Sequence, residues 1–184
     1  FHAFAELRLH AKELEEPHLG FDKRKQGTAL HGALANAWSE LRDWKTLDSL
    51  GAGPLREVVV RAVDRVLTDE WRAETKLRAG MREVERERLI EIVTRWLREE
   101  KQRAPFRVLA HEQKAQVELG GLTVDVRADR VDELADGRLV LIDYKTTAPS
   151  TASWKGERIT EPQLPLYAVT SDREVGATVF AQVQ

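Results

Sequence analysis

Leu139-Val140-Leu141-Ile142-Asp143-Tyr144-Lys145-Thr146 is an apolar run that ends in a carboxylate and an ammonium two residues apart. Its composition predicts a core strand, and the period of two puts Asp143 and Lys145 on one face with Tyr144 pointing away. A core strand does not ordinarily finish this way, because burying either charge costs several kcal/mol unless it is paired or bound to an ion. Taken alone, the ending also fits a strand emerging into solvent with Asp143 and Lys145 as a surface ion pair.

The segment before it favours a site. Val126-Arg127-Ala128-Asp129-Arg130-Val131-Asp132 interleaves charges with β-formers, and Asp136-Gly137 folds this strand back against the first. A turn centred there puts Arg130 near the position opposite Asp143, and a register one residue different brings Asp129 into cross-strand or diagonal reach. Two carboxylates then converge on one point. They repel unless a divalent cation sits between them, and an oxygen-rich site of low ligand number suits Mg2+ or Mn2+. Lys145 beside such a site is suited to orienting or helping to deprotonate a water for attack on phosphorus.

The chain changes texture at Ala104-Pro105, into a helical portion over 1–103 and a sheet-and-helix portion over 104–184. Leu55, Val58, Val59, Ala62, Val63, Val66 and Leu67 follow helical spacing. So do Leu30, Leu34, Ala37, Trp38, Leu41 and Trp44, with Thr28 as a candidate cap, and a third run of Met81, Val84, Leu89, Ile92, Val93, Trp96 and Leu97. The Arg- and Glu-rich back of that third run reads as a solvated face with i,i+4 pairs. Phe4, Leu7 and Leu9 predict a short opening helix. After Pro105 come strands over Phe106–Leu119, Leu122–Leu134 and 138–146, joined by Gly120-Gly121 and Ala135-Asp136-Gly137. A polar loop over 147–159 follows. Thr160-Glu161-Pro162-Gln163 then has the pattern of a capping box opening a helix through 170, and a last strand occupies 175–184.

The 184 residues carry 29 Lys plus Arg against 31 Asp plus Glu, a net charge of −2 that excludes a globally basic polyanion coat. There is no cysteine, so this chain makes no disulfide framework, Cys-ligated zinc or iron–sulfur cluster, and a reducing, cytoplasmic compartment is expected. No stretch approaches the roughly 20 apolar residues of a membrane span. The start at Phe1 rather than Met, and the end within a predicted strand, suggest a piece of a longer protein.

Asp129 and Asp143-Tyr144-Lys145, on consecutive strands of a helix-flanked sheet, resemble the PD-(D/E)XK nuclease superfamily. Gly27-Thr28-Ala29-Leu30-His31 is similar to the G-x-x-x-H of its RecB-like branch, and Gln163-Leu164-Pro165-Leu166-Tyr167 to that branch's Q-x-x-x-Y. Trp154-x-Gly156-Glu157-Arg158 and Asp-Tyr-Lys-Thr further resemble AddB-like bacterial repair nuclease domains. The resemblance implies an α/β restriction-endonuclease-like fold, a single domain with αβββαβ order and a mixed sheet. It implies Mg2+ or Mn2+ held by His31, Asp129, Asp143 and the Tyr144 carbonyl, with Lys145 positioning water. Gln163, Tyr167, Lys155 and Arg158 would contact DNA, and Glu112 and Asp132 are outer candidates. The implied activity is metal-dependent exonucleolytic hydrolysis of DNA, on single-stranded ends, in recombination or double-strand-break repair alongside a helicase or helicase-like region. The residues by themselves also allow His31 as a hydrogen-bonded, partly buried histidine, Gln163 as a cap and Tyr167 as a core aromatic. A catalytically inactive DNA-binding or assembly scaffold, and an RNA-directed or endonucleolytic member of the same fold, are the alternatives. Relatives that hold an iron–sulfur cluster do so with four cysteines, none of which is present here, and no phosphate loop of a helicase motor occurs.

Overall fold

Helices form where apolar residues recur at helical spacing, and in the computed structural model, which describes residues 23–70, 79–147 and 162–184, four of them precede the sheet. They are α1 (Lys23–Leu41), α2 (Trp44–Ser49), α3 (Ala52–Glu70) and α4 (Ala79–Glu100). The whole expected stripe of α3, from Leu55 to Leu67, is buried. On α1 the inward face is Ala29, Leu30, Ala33, Leu34, Ala37, Trp38 and Leu41. Its small residues let α3 approach closely: a Cβ on Gly32 would meet Val66 Cγ2 at 3.0 Å. Each leucine so buried contributes about 1.5–3 kcal/mol.

Three local expectations need correction. Thr28 does not cap α1, which already runs from Lys23; its hydroxyl donates back to the Arg24 carbonyl, the bond a threonine makes inside a helix. Trp44 belongs to α2, not to the Leu30–Leu41 helix. Arg42 turns left-handed at φ 65°, and the Asp43 carboxylate accepts the Thr46 N–H at 2.7 Å, so a competing cap starts a new helix there. Val84 is 72% exposed on the outer side of α4, whereas Glu85 beside it, expected on a solvated face, is buried and bonded to Arg88.

The strands β1 (Phe106–Leu119), β2 (Leu122–Leu134) and β3 (Leu139–Lys145) form an antiparallel meander. Gly120, Gly121 and Gly137 all have positive φ, the conformation these tight connections require. α5 (Gln163–Thr170) then leads to β4 (Val175–Gln182), which pairs parallel to β3, so the described sheet is mixed, in the order β1-β2-β3-β4. Gln163 is the first residue of α5, with Pro162 before it and no side-chain cap, so it does not serve as the third residue of a capping box. Thr160, the opening helix at Phe4 to Leu9, the polar loop beyond 147, and Trp154, Lys155 and Arg158 lie outside the described residues.

β3 divides the interior. Val140, Ile142 and Tyr144 join the large core with α1, α3 and α4, while Leu139 and Leu141 face a smaller one with Ala128, Val131 and Leu164 of α5. The architecture is the mixed α/β layering of a restriction-endonuclease-like core. Among the described residues no helix is long and apolar enough to cross a membrane.

Candidate active site

The alternation of β3 carries Asp143 and Lys145 to its C-terminal end, on the same face as Leu139 and Leu141. There Lys145 Nζ lies 2.8 Å from Asp143 Oδ2 and 5.3 Å from the centre of the Phe180 ring on β4. The β2–β3 register runs from Glu133–Leu139 to Arg130–Ile142, which makes Asp129 and Asp143 the next residues in line. Of the registers the sequence allowed, the structure adopts the one that favours convergence of the two carboxylates.

Asp129 breaks from the ladder to do so. Its Oδ2 accepts the main-chain N–H of Tyr144 at 2.8 Å, and its Oδ1 lies 3.3 Å from His31 Nδ1. The other imidazole nitrogen, Nε2, donates to the Tyr144 carbonyl at 3.0 Å. His31 sits on the inner side of α1, so the packing of that helix on the sheet is what delivers it. One residue of β3, Tyr144, thus touches Asp129 through its nitrogen and His31 through its oxygen.

The electrostatics follow from these contacts. Burial disfavours a charged His31, but both ring nitrogens face oxygens, and the hydrogen bond and charge of Asp129, with Asp143 beyond, raise its pKa above 6.5. Burial likewise opposes charge on Asp129; His31, the Tyr144 N–H and Arg127 outweigh it and hold this carboxyl below the usual range. Asp143 goes the other way: burial, then the neighbouring charge of Asp129, push it up despite Lys145. The charge of Asp129 beside the buried Asp143 is repulsion that added positive charge would relieve.

Arg127, not singled out from the sequence, donates to Asp129 Oδ1 at 3.2 Å and stands 4.0 Å from Glu112 Oε1. Glu112 has φ 50° in mid-strand, between the pairs His111–Arg130 and Gln113–Ala128, and so lies across from Asp129 with its carboxylate turned to Arg127. Asp132 does not join this group. It is fully buried on the helix side, paired with Arg130 and Arg103, and Glu100 of α4 completes that cluster. An arginine and an aspartate two apart in a run of β-formers was the signal for it. Gln163 is exposed at the start of α5, and Tyr167 is half-buried over β1 and β2, beside a cavity of about 360 Å³ that Leu109, Val131 and Arg173 also line.

No three His, Asp or Glu side chains among the described residues are gathered closely enough to hold a metal as they stand. The donor set nonetheless fits one. Asp129, Asp143, the Tyr144 carbonyl and an imidazole supply hard oxygens with one nitrogen, suited to Mg2+ or Mn2+.

No curated protein matches the chain significantly. A family model matches residues 1–182, and members of the family it describes are generally nucleases that usually use divalent metals. With two carboxylates and a lysine converging at one end of a mixed sheet, and the match spanning nearly every residue, the chain belongs to the PD-(D/E)XK nuclease superfamily.

Proposed function

We propose that this chain is a metal-dependent DNA exonuclease domain of the RecB-like branch, similar to AddB-like repair nucleases, acting in the cytoplasm in recombination or double-strand-break repair. The observation that carries the reading is the meeting of His31, Asp129 and the Asp143-x-Lys145 pair around the Tyr144 peptide.

His31, Asp129, Asp143 and the Tyr144 carbonyl would hold one Mg2+ or Mn2+. When bound, the ion supplies neutralisation of the phosphate charge and a lowered pKa for water. Asp129 and Asp143 present their oxygens from rigid strand positions, which is what gives an in-line displacement its geometry. Lys145, held by Asp143 and the Phe180 ring, directs a water oxygen at phosphorus as the bond to the leaving sugar oxygen breaks. Arg127 lies at the mouth of the site, 42% exposed, where a phosphate oxygen can reach it. Lys23, Arg24 and Lys25 are exposed in the first turn of α1, opposed to the helix dipole and so suited to an anion. Gln163, Tyr167, Lys155 and Arg158 place the strand, and a helicase or helicase-like region supplies single-stranded ends. Because only a local basic surface meets phosphate, binding by this chain is weak and salt-sensitive.

The test is a degradation time course on end-labelled single- and double-stranded DNA, with and without Mg2+ or Mn2+. Stepwise loss from an end that requires the cation is expected. Internal cuts would replace the exonuclease reading with an endonuclease one, cleavage of RNA alone would change the substrate, and no cleavage under any condition would leave a scaffold.

A further inference from the structure

Behind the site, on the helix side of the sheet, lies a group of charges that the chemistry above does not use. Arg130 is 1% exposed, Glu100 2% and Asp132 0%. The Arg130 guanidinium donates to Glu100 Oε2 at 2.9 Å, to Asp132 Oδ2 at 2.8 Å and to the Tyr144 hydroxyl at 2.9 Å. Arg103 closes the group with bonds of 2.7 and 3.0 Å to the same two carboxylates. The guanidinium also stacks on Trp38, 4.4 Å from its ring centre, and the Tyr144 ring meets His31 and Trp96 edge-on.

Stability does not account for this arrangement. A buried ion group is seldom better than apolar residues of the same volume, and here Arg130 Nε and Asp132 Oδ1 have no hydrogen-bond partner among the described residues. The cluster does control two things. Arg130 is the residue next to Asp129, and its guanidinium grips the far end of Tyr144, the residue whose main chain touches both Asp129 and His31.

We infer that Arg130, locked by Glu100 and Asp132, is a positioning residue that pins the Tyr144 hydroxyl and so holds the Tyr144 peptide in register with Asp129 and His31. This rests on the nuclease reading only for its consequence; the positioning itself is a property of the metal-free chain. A planar five-donor fork suits the task, since it meets three partners in fixed directions where a lysine would not. Partners behind metal ligands usually change affinity or activity 10- to 100-fold when removed.

Tyr144→Phe removes the hydroxyl and leaves the peptide in place; Glu100→Gln loosens Arg130 at the end of α4, a helix that meets the Tyr144 ring through Trp96 but supplies none of the groups proposed to hold the metal. Amide hydrogen exchange is read by NMR on the metal-free protein, with the Leu141 amide in the middle of β3 as the internal reference. In both variants the residue-144 amide should exchange about tenfold faster relative to Leu141, the effect of Tyr144→Phe being the larger. Calorimetric titration with Mn2+ should show about tenfold weaker binding, and excess Mn2+ should restore part of the cleavage rate. If the two amides accelerate together, or neither does and Mn2+ binds as in the parent, the cluster is only structural and the inference fails. If the residue-144 amide loosens selectively while the parent neither binds Mn2+ nor cleaves DNA, the inference stands and the nuclease reading fails.

Discussion

Two groups of charges flank Tyr144, and they are built on opposite terms. The inner one has a sealed centre of Arg130, Glu100 and Asp132, with Arg103, 30% exposed, closing its outer side, and its cations are guanidiniums that never lose their proton. The outer one, Asp129 and Asp143 with His31, Lys145 and Arg127, opens gradually: side-chain exposure rises from 7% at Asp129 through 15% at Asp143 to 34% at Lys145. One of its cations is a titratable imidazole, and the others sit on long side chains at the rim. Charges that are balanced and sealed hold a shape. Charges whose partners can leave make a place for an ion and a phosphate. The same residue, Tyr144, belongs to both groups, with its side chain in one and its peptide in the other.

The two groups should differ most when the outer carboxylate or ammonium is removed. Asp143→Ala or Lys145→Ala should lower cleavage of end-labelled DNA by 10²-fold or more while the circular dichroism spectrum stays that of the parent. Lys145→Ala should cost at most about 1 kcal/mol of stability in urea unfolding, because the pair it breaks is partly exposed. Arg130→Met is the inner counterpart. It leaves Glu100 and Asp132 buried without their main partner and should cost about 3–5 kcal/mol in the same experiment. Equal losses at Arg130 and Lys145 would erase the distinction between the groups.

Proton linkage sharpens the contrast further. His31 has a folded pKa above its unfolded value near 6.5, so its contribution to stability is fully present below 6.5 and is lost as pH rises through the folded pKa. The metal-free melting temperature should therefore fall as pH is raised from about 6 to 8, and His31→Gln should remove that slope. Mn2+ affinity should run the opposite way, rising with pH, because the imidazole must release its proton to act as a ligand. The smallest effect expected is at Glu112. Its left-handed backbone costs a side-chain-bearing residue roughly 1 kcal/mol, so Glu112→Gly should raise the unfolding free energy measured in urea by at most about that amount, the entropy of glycine in the unfolded chain offsetting part of it. If the carboxylate also steers Arg127, cleavage will acquire a different salt dependence.

Much of the sheet was legible because its signals are local. Gly120-Gly121 and Asp136-Gly137 stop the strands at the residues where hairpin turns require positive φ, and β1 and β2 have the predicted bounds. The inward face of α3 was legible for the same reason, residue for residue. Corrections fell where two local signals competed, as at Arg42-Asp43, where an aspartate cap ended one helix and began another. Arg130 and Glu100 could not be paired in advance, since 30 residues and a strand connection separate them. Arg127 was passed over because one arginine among many carries no signal until its neighbours are known.

The sequence alone encodes the order of the four strands and of α5 among them, the hairpin turns, and the placing of Asp143 and Lys145 on one face of a strand with Tyr144 on the other. These follow from backbone periodicity, which each short stretch encodes alone. Tertiary structure decided the register that lines Asp129 up with Asp143, the delivery of His31 to a carbonyl 113 positions away, and the sealing of Arg130 behind both. Those depend on how a helical layer settles against a sheet. Burial sets the cost of each charge there, and only partners from distant segments can offset it.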